Sequence, residues 1–451
     1  MQLLTWKNLS ASARIAALRR PTQSAQPAVA AAVRTIIAAV RRDGDKALRR
    51  LTRKFDGAAL RSLRVGEAEF AAAEKSLSRA DHAALRTAYR NIRAFHSAQQ
   101  PKDLRVETQP GIVCEKTVRP IGRVGLYVPG GSAPLPSTAL MLGVPSQIAG
   151  NPVRVLCTPP DRHGRINPWI LSAARLCGIT EIYKVGGVQA IAALAYGTAS
   201  IPKCDKLFGP GNAFVTEAKQ QVTRDVAIDL PAGPSEVLVI ADHRANPSFV
   251  AADLLSQAEH GPDSQVMLVT FSENFAARVQ AYLERELAGL PRAAIACRAL
   301  DRSRVFIAAN HAEAVAIANA YAPEHLILQV ARPRELLADI TTAGSVFLGD
   351  ITPESLGDYA SGTNHVLPTY GWARACSGLG LADFQRSMTV QTASRAGLKK
   401  LGPVVEHLAL AEGLAAHQRA VRVRLETLSF VAAVYDRRSN TRRRSQTAAT
   451  I

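Results

Sequence analysis

Gln257 and His260 stand three positions apart near the end of a helix predicted over 247–260, so both fall on one helical face. Asn246 can cap that helix, Pro247 suits its first turn, and Gly261-Pro262 stops it. A histidine at such an end can ligate a metal. It can equally be a surface residue compensating the terminal carbonyls. Further on, Glu324-His325 sits just ahead of an apolar strand over 326–330. A carboxylate beside an imidazole supplies acid–base capacity near neutral pH. Adjacent strand residues point opposite ways, so both serve one site only if a loop turns them. Otherwise they are a turn pair with a solvated Glu. Open α/β sheets place functional groups more often at the carboxyl ends of strands.

Asp358 lies in Gly349-Asp-Ile-Thr-Pro-Glu-Ser-Leu-Gly-Asp358-Tyr-Ala-Ser-Gly-Thr-Asn-His365-Val-Leu-Pro-Thr. This polar, glycine-rich stretch reads as an ordered binding loop. Asp358 is either a hard anionic ligand or the cap of an Asx turn. Glu412 and His417 fall on a terminal helix predicted over 402–427. Five positions put them about 140° apart, so they flank one broad face or are ordinary surface residues. Glycine turns follow strand-like runs at Pro129-Gly-Gly, Val185-Gly-Gly-Val-Gln189, Phe208-Gly-Pro-Gly-Asn212 and Pro231-Ala-Gly-Pro-Ser235. Such turns let a phosphate or ribose approach the backbone. None is Gly-x-Gly-x-x-Gly; Gly209-Pro-Gly211 runs on into Asn212-Ala-Phe, and the dinucleotide fingerprint fails. The residues alone indicate an α/β protein with a Gln/His/Asp metal site and a nucleotide-like ligand.

The elements that must position these groups alternate. Residues 1–100 read as helices, with apolar residues three and four apart over 30–40 and 83–95. Strands are expected at 123–129, 153–157, 181–185, 236–241, 265–271, 305–308 and 325–330, with helices between them at 167–177, 188–196 and 247–260. That order is the signature of βαβ units on parallel sheets.

The chain has 451 residues, 47% apolar and 20% charged, enough for several domains and typical of a globular protein. No apolar run approaches the roughly 18 residues of a membrane span. Six cysteines, at 114, 157, 177, 204, 297 and 376, form no Cys-x-x-Cys pair and read as buried thiols. The net charge is +18, of which residues 1–100 carry +12 and residues 395–451 carry +7. The body between them is nearly neutral, and aromatics are 5%, unlike the basic, aromatic-rich face of a nucleic-acid binder. The first 42 residues lack Asp and Glu, which suggests a transit peptide or a surface helix. With no signal-peptide order, the expected compartment is the cytoplasm. The run after Tyr435 is a polar basic tail, expected to be disordered.

Several segments together resemble the histidinol dehydrogenase family. They are Arg123-Val-Gly-Leu-Tyr-Val-Pro-Gly-Gly-Ser-Ala-Pro-Leu-Pro-Ser-Thr, Lys184-Val-Gly-Gly-Val-Gln-Ala-Ile-Ala-Ala-Leu-Ala and Phe208-Gly-Pro-Gly-Asn-Ala-Phe-Val-Thr-Glu-Ala-Lys. Ile228-Asp-Leu-Pro-Ala-Gly-Pro-Ser-Glu-Val-Leu-Val, Asp253-Leu-Leu-Ser-Gln-Ala-Glu-His-Gly-Pro-Asp-Ser-Gln and Gly357-Asp-Tyr-Ala-Ser-Gly-Thr-Asn-His-Val-Leu-Pro-Thr complete the set. The likeness runs from about residue 5 to 435, which includes the amino-terminal helices and favours a surface helix over a transit peptide.

The resemblance implies an NAD-dependent, zinc-requiring oxidation of L-histidinol to L-histidine through L-histidinal, the last two steps of histidine biosynthesis. It implies zinc on Gln257, His260, Asp358 and His417, and catalysis by Glu324 and His325. Histidinol would be contacted by Ser235, His325, Glu412 and the zinc ligands, and NAD by Tyr127, Gln189 and Asn212. It implies a homodimer with a shared site, His417 coming from the partner. The fold implied is α/β, two incomplete Rossmann-like parallel-sheet domains with helical extensions at both ends. The first domain is expected over 22–126 plus 237–379 and the second, on the NAD side, over 127–236. They are flanked by a helical segment at 1–21, a helical dimerisation segment at 380–435 and the tail at 436–451. Val188 replaces a more usual Ala beside Gln189. The alternatives are a related zinc and NAD enzyme acting on another polar alcohol, such as a sulfonated diol, and a polyanion-binding role driven by the charge.

Overall fold

The computed structural model describes residues 1–20, 27–130, 134–230 and 233–430; the basic tail at 436–451 and Pro231-Ala232 of one glycine turn lie outside them. The strands in chain order are β1 (Gln2–Thr5), β2 (Leu104–Gln109), β3 (Ile112–Pro120), β4 (Arg123–Tyr127), β5 (Val153–Thr158), β6 (Glu181–Lys184) and β7 (Lys206–Phe208). Then come β8 (Ala227–Ile228), β9 (Glu236–Ala241), β10 (Gln265–Thr270), β11 (Arg304–Ile307), β12 (His325–Gln329), β13 (Ser345–Leu348) and β14 (Gln385–Ala393). The chain divides into two compact units. One comprises Met1–Gln100 and Pro120–Gln385; the other begins with Pro101–Arg119 and continues from Arg386.

The first unit holds two parallel sheets, ordered β6-β5-β4-β7-β8 and β1-β11-β10-β9-β12-β13. Strands buried on both faces need apolar side chains at nearly every position, which is how β9 reads (Glu-Val-Leu-Val-Ile-Ala, all buried). The two-residue period splits β9 between two cores: Val237, Val239 and Ala241 on one face, Leu238 and Ile240 on the other. In the smaller sheet, Val124 and Leu126 face one core and Tyr127 the opposite one. The helix Pro27–Asp43 buries Val33, Ile37 and Val40 against the same layer as Ile191 and Leu194. The helix Arg79–Ser97 buries Leu85, Ala88 and Ile92. Both use the three-and-four spacing of one helical stripe.

Three expectations are corrected. Residues 1–100 are not all helical, because β1 adds a parallel edge strand beside β11. The segment from 380 is not purely helical, because β14 joins the β2–β3 hairpin in a sheet ordered β14-β3-β2. The helix expected over 402–427 is two helices: Arg395–Ala411 ends at Glu412, Gly413 takes φ +71°, and a second runs over 415–430. Left-handed glycine after the last turn is a common helix stop. Gly402 lets the pair close, since a Cβ there would lie 2.9 Å from Leu425. The cysteines also divide: Cys157, Cys177 and Cys204 are buried, whereas Cys297 is exposed. No helix among the described residues is long and apolar enough to cross a membrane.

Candidate active site

A cavity of about 390 Å³ in the first unit is lined by Ser235, His260, Glu324, His325, Asp358 and Asn212, among others. The helix Pro247–Ala258 delivers Gln257 and His260. Asn246 caps it by accepting from Ser248 N at 3.0 Å, and it ends two residues before the expected 260. His260 therefore lies in the turn, its N–H donating to Gln257 O at 3.2 Å, and its Nδ1 stands 3.4 Å from Ser235 Oγ. Asp358 is not in a loop but on a short helix, Glu354–Tyr359. Four positions bring Glu354 onto the same face, and ligand atoms of His260, Glu354 and Asp358 all fall within 4.8 Å of one another.

Glu354 is a residue that sequence reasoning missed. It is fully buried, and Gln257, with its amide nitrogen turned inward, donates to its Oε2 and Oε1 at 3.1 and 3.2 Å. That nitrogen also lies 2.9 Å from His325 Nδ1, which can accept from it. These bonds leave the Gln257 oxygen to other partners. One amide oxygen, one imidazole and one or two carboxylates form a donor set of the kind that holds a divalent cation such as zinc.

Glu324 and His325 reach one cavity because the chain turns ahead of β12. Ala322 has φ +53°, a left-handed conformation costing a non-glycine residue about 1–2 kcal/mol. Glu324 then lies outside the strand, and its Oε2 accepts from Glu236 N at 2.8 Å. His325 opens β12, with Nδ1 3.1 Å from Glu236 O. In the tautomer protonated on Nδ1, that nitrogen donates to the carbonyl and Nε2 is the unprotonated one. Nε2 is buried, 3.4 Å from Asp358 Oδ1, and has no hydrogen-bond partner among the described residues.

The electrostatics follow from burial and crowding. Burial pushes Glu324 up to about 8, and does the same to Glu354. Burial alone would lower His325, but the carboxylates of Glu324, Glu354 and Asp358 outweigh it and hold the imidazole well above its ordinary value. Burial would raise Asp358, yet His325, His365 and His260 keep it below the usual range. His365, also unpredicted, is lowered by burial; its Nδ1–H donates to Asp358 O at 2.8 Å, and Nε2 accepts from Thr138 Oγ1 at 3.0 Å.

Tyr127, Gln189 and Asn212 converge on a neighbouring cavity of about 890 Å³, which Asn212 shares with the first. Tyr127 accepts a hydrogen bond from Gly187 N at 3.1 Å, and Val188 is buried beside Gln189. Asn212 caps the helix Ala213–Val222. Glu412 and His417 belong to the second unit, exposed on either side of the Gly413 turn. They do not share a helix, so the 140° reckoned for a continuous one does not apply.

A sequence model of the histidinol dehydrogenase family matches residues 18–425. Histidinol dehydrogenase of Xanthomonas campestris pv. campestris (strain 8004) is 58% identical over 427 residues, which cover 94% of this chain and 99% of that protein. The enzyme of the same name from Vibrio parahaemolyticus serotype O3:K6 is 56% identical, covering 95% and 99%. The crystal structure of histidinol dehydrogenase from Elizabethkingia anophelis superposes with a TM-score of 0.91 at 49% identity, covering 95% of this chain and 99% of that one. The chain therefore belongs to the histidinol dehydrogenase family.

Proposed function

We propose that this protein oxidises L-histidinol to L-histidine through L-histidinal, delivering two hydrides to two molecules of NAD in turn. The observation that carries the reading is the Glu324–His325 couple. It faces the same cavity as the His260 and Asp358 donors, with Gln257 within 2.9 Å of His325 Nδ1, beside the second cavity lined by Tyr127, Gln189 and Asn212.

Gln257, His260 and Asp358 would hold zinc, with His417 of the partner subunit completing the set in a homodimer. Zinc, when bound, supplies a fixed positive charge that orients a polar amino alcohol. NAD, when bound beside Tyr127, Gln189 and Asn212, accepts the hydride. Ser235 lies 3.4 Å from His260 Nδ1 and would contact the substrate with it, as would Glu412. His325 Nε2 takes the hydroxyl proton as the carbon gives up its first hydride. Glu324, more basic than an ordinary carboxylate, takes a proton from the water that adds to the aldehyde. The hydrated aldehyde loses its second hydride with His325 again as base. The two sheets would form the two α/β domains, each carrying one side of the reaction.

Two experiments test this. NADH should form from L-histidinol with NAD; a good rate on a different polar alcohol and none on histidinol would overturn the substrate. Mixing a His417→Ala chain with a Glu324→Gln chain should restore part of the activity through hybrid dimers. No restoration would contradict the shared site.

A further inference from the structure

Arg20, just beyond the helix Ala11–Ala17, has a buried side chain that forks Glu236: Nε donates to Oε1 at 2.5 Å and Nη2 to Oε2 at 2.9 Å. The same Nη2 donates to Tyr321 O at 2.8 Å and Ala322 O at 3.3 Å, and the guanidinium lies 4.0 Å above the Tyr321 ring. Each partner adjoins the acid–imidazole couple. The backbone of Glu236 meets Glu324 Oε2 through its N–H and His325 Nδ1 through its carbonyl. Ala322 is the left-handed residue of the turn that leads into Glu324. Glu236 Oε1 also accepts from Tyr370 N at 3.0 Å, and Tyr370 is the second non-glycine residue with positive φ among those described.

We infer that Arg20 is a positioning residue for the reaction: it clamps the Tyr321–Ala322 turn to the start of β9 and so fixes where Glu324 and His325 stand. The inference rests on the reading that this couple does the acid–base work. The geometry asks for arginine. A planar fork spans both carboxylate oxygens and still reaches the turn carbonyls, whereas a lysine ammonium is a single point charge. The amino-terminal segment, 216 residues from Glu236 in sequence, is thereby part of the site's frame.

The test uses the full-length enzyme with zinc and NAD, and measures kcat and KM for L-histidinol and L-histidinal together with zinc content. Arg20→Lys should lower kcat roughly 10- to 100-fold on both substrates, as a displacement on the order of 1 Å does. KM for either substrate should stay within about threefold and zinc should remain bound, because Arg20 touches no donor of the metal cluster. A variant with the same kcat as the unaltered enzyme and only a lower melting temperature would make Arg20 purely structural and overturn the inference. If Arg20→Lys fails to fold, the double variant Arg20→Met, Glu236→Gln leaves no buried charge unpaired and carries the same comparison. Absence of turnover in the unaltered enzyme would overturn the functional reading along with this one. Normal turnover in both enzymes would overturn this one alone.

Discussion

The two parallel sheets face their cavities with opposite ends. In the five-stranded sheet the carboxyl ends are used: Pro129 follows β4, Gly186–Gln189 follows β6, and Pro210–Asn212 follows β7. The helices Gly187–Tyr196 and Ala213–Val222 begin there, so the positive ends of two helix dipoles lie at the larger cavity. In the six-stranded sheet the amino ends are used: Ser235 precedes β9, Ser264 precedes β10, and Glu324-His325 opens β12. The helices Pro247–Ala258 and His311–Tyr321 finish there, bringing the negative ends of their dipoles beside buried carboxylates. One face suits an anion and the other a cation or an imidazolium. The rule that ligands gather at carboxyl ends holds for one sheet and is reversed in the other.

Substitutions on the two faces should therefore act on different quantities. His260→Asn should have the largest effect: metal content falls and turnover drops by about 10³-fold, since a metal supplies several kcal/mol of orientation and charge stabilisation. Full zinc occupancy in that variant would remove His260 from the donor set. Glu324→Gln should slow histidinal oxidation by about 10²-fold while costing the alcohol step less, with zinc retained. Equal losses in both steps would count against a role confined to water activation. Gln189→Ala, on the anion-accepting face, should raise KM for NAD about fivefold with kcat nearly unchanged, the effect of one lost hydrogen bond. A fall in kcat without a change in KM for NAD would break the division between the faces.

Much of this was legible in the sequence. β9 is found at the expected residues because the apolar run Val237–Ala241, rich in β-branched residues and followed by Asp-His, has few other readings. The Asn246 cap and Pro247 start were equally plain. β1 was not, because a four-residue edge strand becomes a strand only by pairing with β11, some three hundred residues away. Glu354 was hidden because its segment read as loop; on a helix, its four-residue spacing to Asp358 would have marked it. Arg20 carries no local signal at all, since its partners at 236, 321 and 322 meet it only in the folded chain. Glu412 and His417 were misplaced on one helix because Gly413 was not taken as a stop.

Stoichiometry tests the central claim most directly. With limiting L-histidinol and excess NAD, a site that carries out both oxidations yields two NADH and one histidine for each histidinol consumed. One NADH with histidinal released, or no NADH at all, would contradict a single cavity in which the same acid–imidazole couple serves both steps.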